Sequence, residues 1–152
     1  MALCSDLLVI EDRAVLGYPP ARVWGVPTTA LWAHRIGITR ARQLLFTGDC
    51  ISGTEAAAWG LAVEAAPREE LDARFERWLG RIARVPVNQL VMHKQLLNQA
   101  VVAQGLAQAQ VLATFFDGIA RHTPEGYAFQ RAAMEHGWKA AVHARDAPFD
   151  EP

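Results

Sequence analysis

Between Arg13 and Gly48 the chain carries five arginines, Tyr18 and His34, but no aspartate or glutamate. General acid and base chemistry needs a positioned group that exchanges a proton near the working pH. In this stretch only Tyr18 and His34 titrate between about pH 5 and 10. His34 is accounted for without chemistry, as a histidine on a helix surface or against a core. Arg13, Arg22, Arg35, Arg40 and Arg42 make the segment basic. That suits a phosphate-bearing ligand, but for most of these arginines a solvated helix face is the better reading. Cys4 and Cys50 have neither a Cys-x-x-Cys spacing nor a histidine cluster beside them, so no metal site and no disulfide framework is indicated.

The composition narrows the classes further. A chain of 152 residues with 51 % hydrophobic and 20 % charged residues has the balance of one globular domain. Fifteen basic residues against sixteen acidic ones give a net charge of -1, too little positive surface to neutralise a nucleic-acid backbone. No apolar run approaches the roughly 20 residues that span a bilayer. Met1 to Ile10 is too short, and at Asp6 too acidic, for a signal peptide. A soluble, cytoplasmic protein with no nucleic-acid or membrane partner is expected.

The elements that would position these residues begin with two short strands, Leu7–Ile10 and Ala14–Leu16. Gly17-Tyr-Pro-Pro20, followed by Gly25 and Pro27, breaks regular structure into a shaped loop. Thr28 or Thr29 caps a helix to about Ile36 that Gly37 closes, and Thr39 caps a second, Arg40–Phe46, closed by Gly48. Ser52-Gly-Thr-Glu55 has the pattern of a capping box. Gly60 then ends that helix, with Leu61 set for an apolar clasp. Ala62–Ala65 is extended. Leu71, Phe75, Trp78, Leu79 and Ile82 form one apolar stripe on a helix over Arg68–Arg84 and are expected in the core. Pro86 opens a helix carrying Leu90, His93 and Leu97, and Gly105 interrupts the run toward Phe116. Thr123-Pro124-Glu125 starts the last helix, carrying Tyr127, Phe129, Met134 and Trp138, and Pro148 ends ordered structure. About two strands and six helices result, and the strands are expected to lack partners, since an isolated hairpin is marginal in water.

The order of these motifs resembles the crotonase family of enoyl-CoA hydratases and isomerases, specifically its C-terminal half. Met1-Ala-Leu-Cys-Ser-Asp-Leu-Leu-Val-Ile10 is similar to the family's helix-to-strand passage. Gly17-Tyr-Pro-Pro-Ala-Arg-Val-Trp-Gly25 is similar to its active-site loop. Leu45-Phe-Thr-Gly-Asp-Cys-Ile-Ser52 with Glu55-Ala-Ala-Ala-Trp-Gly-Leu61 resembles its most specific signature, which argues against an unrelated helical binding module. Glu125-Gly-Tyr-Ala-Phe129 resembles a family helix start.

The resemblance implies an α/β fold of the crotonase-like ββα spiral type, represented by a truncated C-terminal part that is mostly α with a few short strands. Residues 1–65 would belong to the spiral core and 66–152 to a helical, oligomerisation-type region. Met1 would be an internal methionine of a longer parent. The implied substrate is an acyl-CoA thioester, with no further cofactor and no metal. Its carbonyl passes through an enolate-like oxyanion held by two backbone amides, both expected ahead of this chain. Of the two glutamates of family hydratases, one would precede Met1 and the other falls on Pro20 or Ala21, so no catalytic acid is assigned. Tyr18, Pro20, Ala21, Val23, Trp24 and Gly25 are the substrate-binding candidates, although Trp24 equally suits helix packing. Phe129 stands where the family can approach CoA bound to a neighbouring subunit, or else packs in the core. A homo-trimer or hexamer is implied. A catalytically inactive remnant, or one that pairs with a separately encoded N-terminal half, is the alternative.

Overall fold

Four three-residue strands and eight α-helices make up the computed structural model, which describes residues 2–25 and 28–149. Strand β1 (Val9–Glu11) does not pair with its neighbour β2 (Val15–Gly17). It pairs in parallel with β4 (Glu64–Ala66), Ile10 opposite Ala65, while β2 pairs antiparallel with β3 (Cys50–Ser52), Leu16 opposite Ile51. The partners that the sequence reading found missing are thus supplied by later segments, each too short to show an alternating pattern.

Three helices fill the interval between the paired strands. Helix α1 (Thr29–Ile36) and α2 (Ile38–Thr47) meet at Gly37, whose carbonyl accepts from the Ala41 amide at 3.0 Å, so α2 starts before Thr39, which lies in its first turn and caps nothing. Helix α3 (Gly53–Ala58) has the expected capping box: Ser52 Oγ accepts from the Glu55 amide at 3.1 Å, and the Ser52 amide donates to Glu55 Oε2 at 2.7 Å. The Ser52 bonds hold the Glu55 carboxyl below its ordinary range. After Gly60 the Leu61 amide returns to the Ala56 carbonyl at 2.9 Å and the Leu61 side chain enters the core. There Trp32, Ile36, Leu44, Ile51, Ala56 and Leu61 pack together. Leu44 and Leu61 are each 1 % exposed, burial that favours folding by about 1.5–3 kcal/mol per side chain.

The helical remainder differs from expectation in three places. Helix α4 (Leu71–Ile82) carries the predicted stripe but buries none of it: Phe75 is 49 % exposed, and Trp78 lies at the edge, donating its indole N–H to Glu64 Oε2 at 2.9 Å. The reason is width, because α4 packs mainly on β1, β4 and the 3-10 turn Arg68–Glu70 before it, and two three-residue strands cannot cover a stripe of about three turns. Helix α5 (Val87–Ala103) follows Pro86 and buries no residue, and α6 (Leu106–Ala120) buries only Ala113. Helix α7 (Pro124–His136), capped by Thr123 Oγ1 on the Gly126 amide at 3.0 Å, stops at Gly137; Trp138 therefore begins α8 (Trp138–Asp146) instead of continuing one long helix. Pro148 lies in a closing 3-10 turn, Ala147–Phe149, rather than ending ordered structure. Among the described residues no helix is long and apolar enough to cross a membrane.

Candidate active-site groove

The loop between β2 and α1 is organised by its prolines. With φ preset, Pro19 and Pro20 begin a 3-10 turn, Pro19–Arg22, in which the Ala21 amide bonds the Tyr18 carbonyl at 2.9 Å. The Val23 and Trp24 amides both reach the Pro20 carbonyl, at 3.1 and 2.7 Å. Gly25 then turns the chain with φ 97°, and a Cβ there would stand 2.7 Å from the Tyr18 ring, so the close approach of ring and backbone needs glycine.

Against this loop lies a groove of about 380 Å³. The loop lines it with Ala21 and Gly25, α1 with Thr29 and Ala33, and α2 with a wall of Ile38, Ala41, Leu45 and Phe46, with Arg42 the charged group. The lining holds no acid. It suits an apolar chain with a polar head near Arg42, since ligand grooves are mostly apolar with a few placed polar groups.

The predicted site residues divide. Ala21 and Gly25 line the groove; Tyr18, Pro20, Val23 and Trp24 do not. Tyr18 packs on the core. Trp24 points the other way, its ring centroid 4.8 Å from Phe129 and 6.3 Å from Trp138, with the Arg121 guanidinium 5.3 Å above it. Phe129, 7 % exposed, stands edge-on to Trp138 at 5.3 Å, which places it among the core-packed residues. Gly126 of the Glu-Gly-x-x-Phe motif acquires a reason here, since a Cβ on it would come 2.4 Å from the Ala120 carbonyl oxygen and 3.0 Å from Trp24 Nε1. His34 is half-buried on α1, outside the lining.

The arginines also divide. Arg35 donates to the Ser5 carbonyl at 2.9 Å and the Leu61 carbonyl at 3.2 Å, tying the front of the chain to the end of α3. Arg40 bonds the Trp59 carbonyl at 3.0 Å and lies over its ring. Arg22 is engaged in several bonds, while Arg42 makes no ion pair among the described residues, which leaves it available to a ligand. The Asp146 carboxyl is held down to about 2, chiefly by a hydrogen bond from Arg145 and, against the cost of burial, by another from Arg22. Burial pushes the Cys50 thiol up. Among the described residues no group of three His, Cys, Asp or Glu side chains could hold a metal ion.

The sequence reading missed the wall on α2. Ile38, Arg42, Leu45 and Phe46 recur at steps of four, three and one, close to one helix face, and that spacing was the available signal.

A family model for enoyl-CoA hydratase/isomerase matches residues 1–146. The chain belongs to that family. An enoyl-CoA hydratase from Mycobacterium smegmatis, known from its crystal structure, is 57 % identical and superimposes with a TM-score of 0.91 over 97 % of this chain and 51 % of its own. An enoyl-CoA hydratase/isomerase from Xanthobacter autotrophicus Py2 superimposes with a TM-score of 0.85 at 26 % identity, covering 97 % of this chain and 56 % of its own. The human mitochondrial enoyl-CoA hydratase domain-containing protein 2 is 32 % identical over 115 residues, which are 73 % of this chain and 36 % of that protein. The chain thus has the crotonase-like fold and spans about half of the solved relatives and about a third of the human one.

Proposed function

We propose that this hydratase/isomerase-family chain binds an acyl-CoA thioester with its acyl portion in the groove between Ala21 and α2, and serves an enolate-type reaction other than two-carboxylate hydration. The observation that carries this reading is the groove itself: apolar, bordered by Arg42, and lined by the methyl group of Ala21 at the turn where the family resemblance puts a glutamate on Pro20 or Ala21. Water addition across an enoyl thioester needs positioned groups to deliver and remove protons, and a methyl group does neither. Shifting a double bond through the same enolate needs one base that takes a proton from one carbon and returns it to another, instead of two carboxylates. The groove lining of this chain holds no such base, which would have to come from outside it, while backbone amides stabilise the oxyanion in either reaction. The thioester is the only CoA species required, with no further cofactor. Two free, exposed cysteines support a reducing, cytoplasmic setting.

Calorimetric titration with butyryl-CoA and with free CoA tests the reading. Saturable binding that is tighter for butyryl-CoA, and loses that advantage in Ala21→Trp, is expected. Equal affinity for the two ligands, or none for either, overturns it.

A second reading has its own observation, the apolar residues that α5 and α6 leave in solvent: Leu96 is 69 % exposed, Leu97 68 %, Val111 73 % and Phe115 64 %. Faces of this kind mark interaction surfaces. They support residues 66–152 as an assembly region of a homo-trimer or hexamer, or one covered by a separately encoded N-terminal half, with the chain itself inactive. Sedimentation equilibrium separates the cases: a trimeric or larger mass that falls to monomer in Leu96→Glu/Phe115→Glu supports self-assembly, and a monomeric wild type excludes it.

A further inference from the structure

We infer that Arg22 is a positioning residue for the acyl groove, fixing the separation of its two walls from outside. The inference rests on the proposed binding of an acyl-CoA in that groove.

Arg22 is adjacent to Ala21, which forms one wall, yet its own side chain runs away from the groove and is only 10 % exposed. Its Nε donates to the carbonyl of Thr47, the last residue of α2, at 2.9 Å. Helix α2 is the helix whose Ile38, Leu45 and Phe46 form the opposite wall. One side chain therefore bonds the turn carrying the first wall to the end of the helix carrying the second. The terminal nitrogens extend the anchor: Nη1 donates to Asp146 Oδ1 at 2.9 Å, and Nη2 lies 3.5 Å from Asp49 Oδ1. The guanidinium carbon sits 3.8 Å from the centre of the Phe149 ring. Gly48 makes the passage possible, since a Cβ there would stand 2.6 Å from Arg22 Cγ and Nε.

Two further observations single out Arg22 within the loop. Trp24, the other large side chain directed away from the groove, has its indole N–H buried with no partner, so its hold on α7 and α8 is by ring packing alone. Arg22 supplies the directional bonds. A guanidinium has five N–H donors in a fixed planar fork and can serve a carbonyl and two carboxylates at once, which the single ammonium of lysine does not reproduce. The groove's width at Ala21 therefore depends on α8 through Asp146, a residue distant from it in sequence and outside its lining.

The test uses the full chain and compares butyryl-CoA, octanoyl-CoA and free CoA by calorimetry in wild type, Arg22→Met, Arg22→Lys and Asp146→Ala. In parallel, the 19F resonance of Trp24 is followed in 5-fluorotryptophan-labelled protein, assigned by its loss in Trp24→Phe. Arg22→Met is expected to leave free-CoA affinity within about twofold while changing the butyryl-to-octanoyl affinity ratio by about tenfold, and to shift the Trp24 resonance without ligand. Arg22→Lys shows the same change of ratio, because charge without the fork does not restore the geometry. Asp146→Ala gives a smaller change in the same direction, and decides the matter if neither Arg22 variant folds. A merely structural arginine would lower the melting temperature and leave both the ratio and the resonance where they were, and that result overturns the inference. If the wild type binds no acyl-CoA, the proposed function fails. The 19F arm then decides whether Arg22 sets the loop: a shifted Trp24 resonance supports it and an unmoved one rejects it.

Discussion

Leu44 of α2 and Leu96 of α5 are the same residue type in helices of the same chain, yet one is 1 % and the other 69 % exposed. The front of the molecule, from β1 to β4, closes its helices and strands around one core. Helices α5 and α6, no less apolar, keep most of their large side chains in solvent. Apolar content and spacing suffice to make a helix, but burial needs a second layer. The front region and the packing of α7 and α8 around Phe129 provide one, and among the described residues most of α5 and α6 lack it. Leaving the core, one therefore expects substitutions to lose their effect on the chain's own stability and to act on assembly instead.

The largest effects should come from the closed parts. Leu44→Ala and Phe129→Ala remove side chains with nothing to replace them and should cost about 2–5 kcal/mol each in urea denaturation. Leu96→Ala should change the same measurement by less than about 0.5 kcal/mol in dilute solution. A Leu96→Ala cost that approaches that of Leu44→Ala and grows with protein concentration would break the comparison, by showing that the α5 face is covered.

A smaller effect tests the local devices of the front region. Ser52→Ala deletes the capping box of α3 and should cost about 1 kcal/mol by the same assay.

Acid titration sharpens the link between the regions. The Asp146 carboxyl lies at about 2 in the folded chain against an ordinary 3.8, so its contribution to stability is complete above pH 3.8 and is lost as pH falls toward 2. Urea midpoints of wild type and Asp146→Asn should differ by a constant amount above pH 4 and converge between there and pH 2. A difference that persists at pH 2 would show that the bonds from Arg145 and Arg22 are not its source.

The smallest effect is expected at Glu64, whose carboxyl is held below its ordinary range first by the Arg77 hydrogen bond and then by that of Trp78. Glu64→Gln keeps an acceptor for Trp78 and loses the ion pairs, so the urea midpoint should fall only slightly, and by less still in high salt.

How much of this was legible depends on distance along the chain. The box at Ser52 and Glu55, the Gly48 stop, the Leu61 clasp and the Thr123 cap each join residues a few positions apart, so residue type and spacing specify them. The break in regular structure from Gly17 to Gly25 was legible for the same reason, as an unbroken motif. Half of the groove was not: Ala21 and Gly25 were found, while the α2 wall was read only as another short helix. The direction of Trp24 was also beyond reach, because Phe129 and Trp138, which hold it, lie more than a hundred residues away.

The sequence by itself determined the family, most helix ends, and the absence of a carboxylate from Arg13 to Gly48, since all of these are properties of contiguous residues. Only the tertiary structure decided which strands pair, that the α4 stripe lies half in solvent, that Trp24 turns to the core, and that Arg22 joins the loop to both α2 and α8. Those outcomes rest on contacts between segments remote in sequence. No local propensity encodes them, and they exist only once folding brings the segments together.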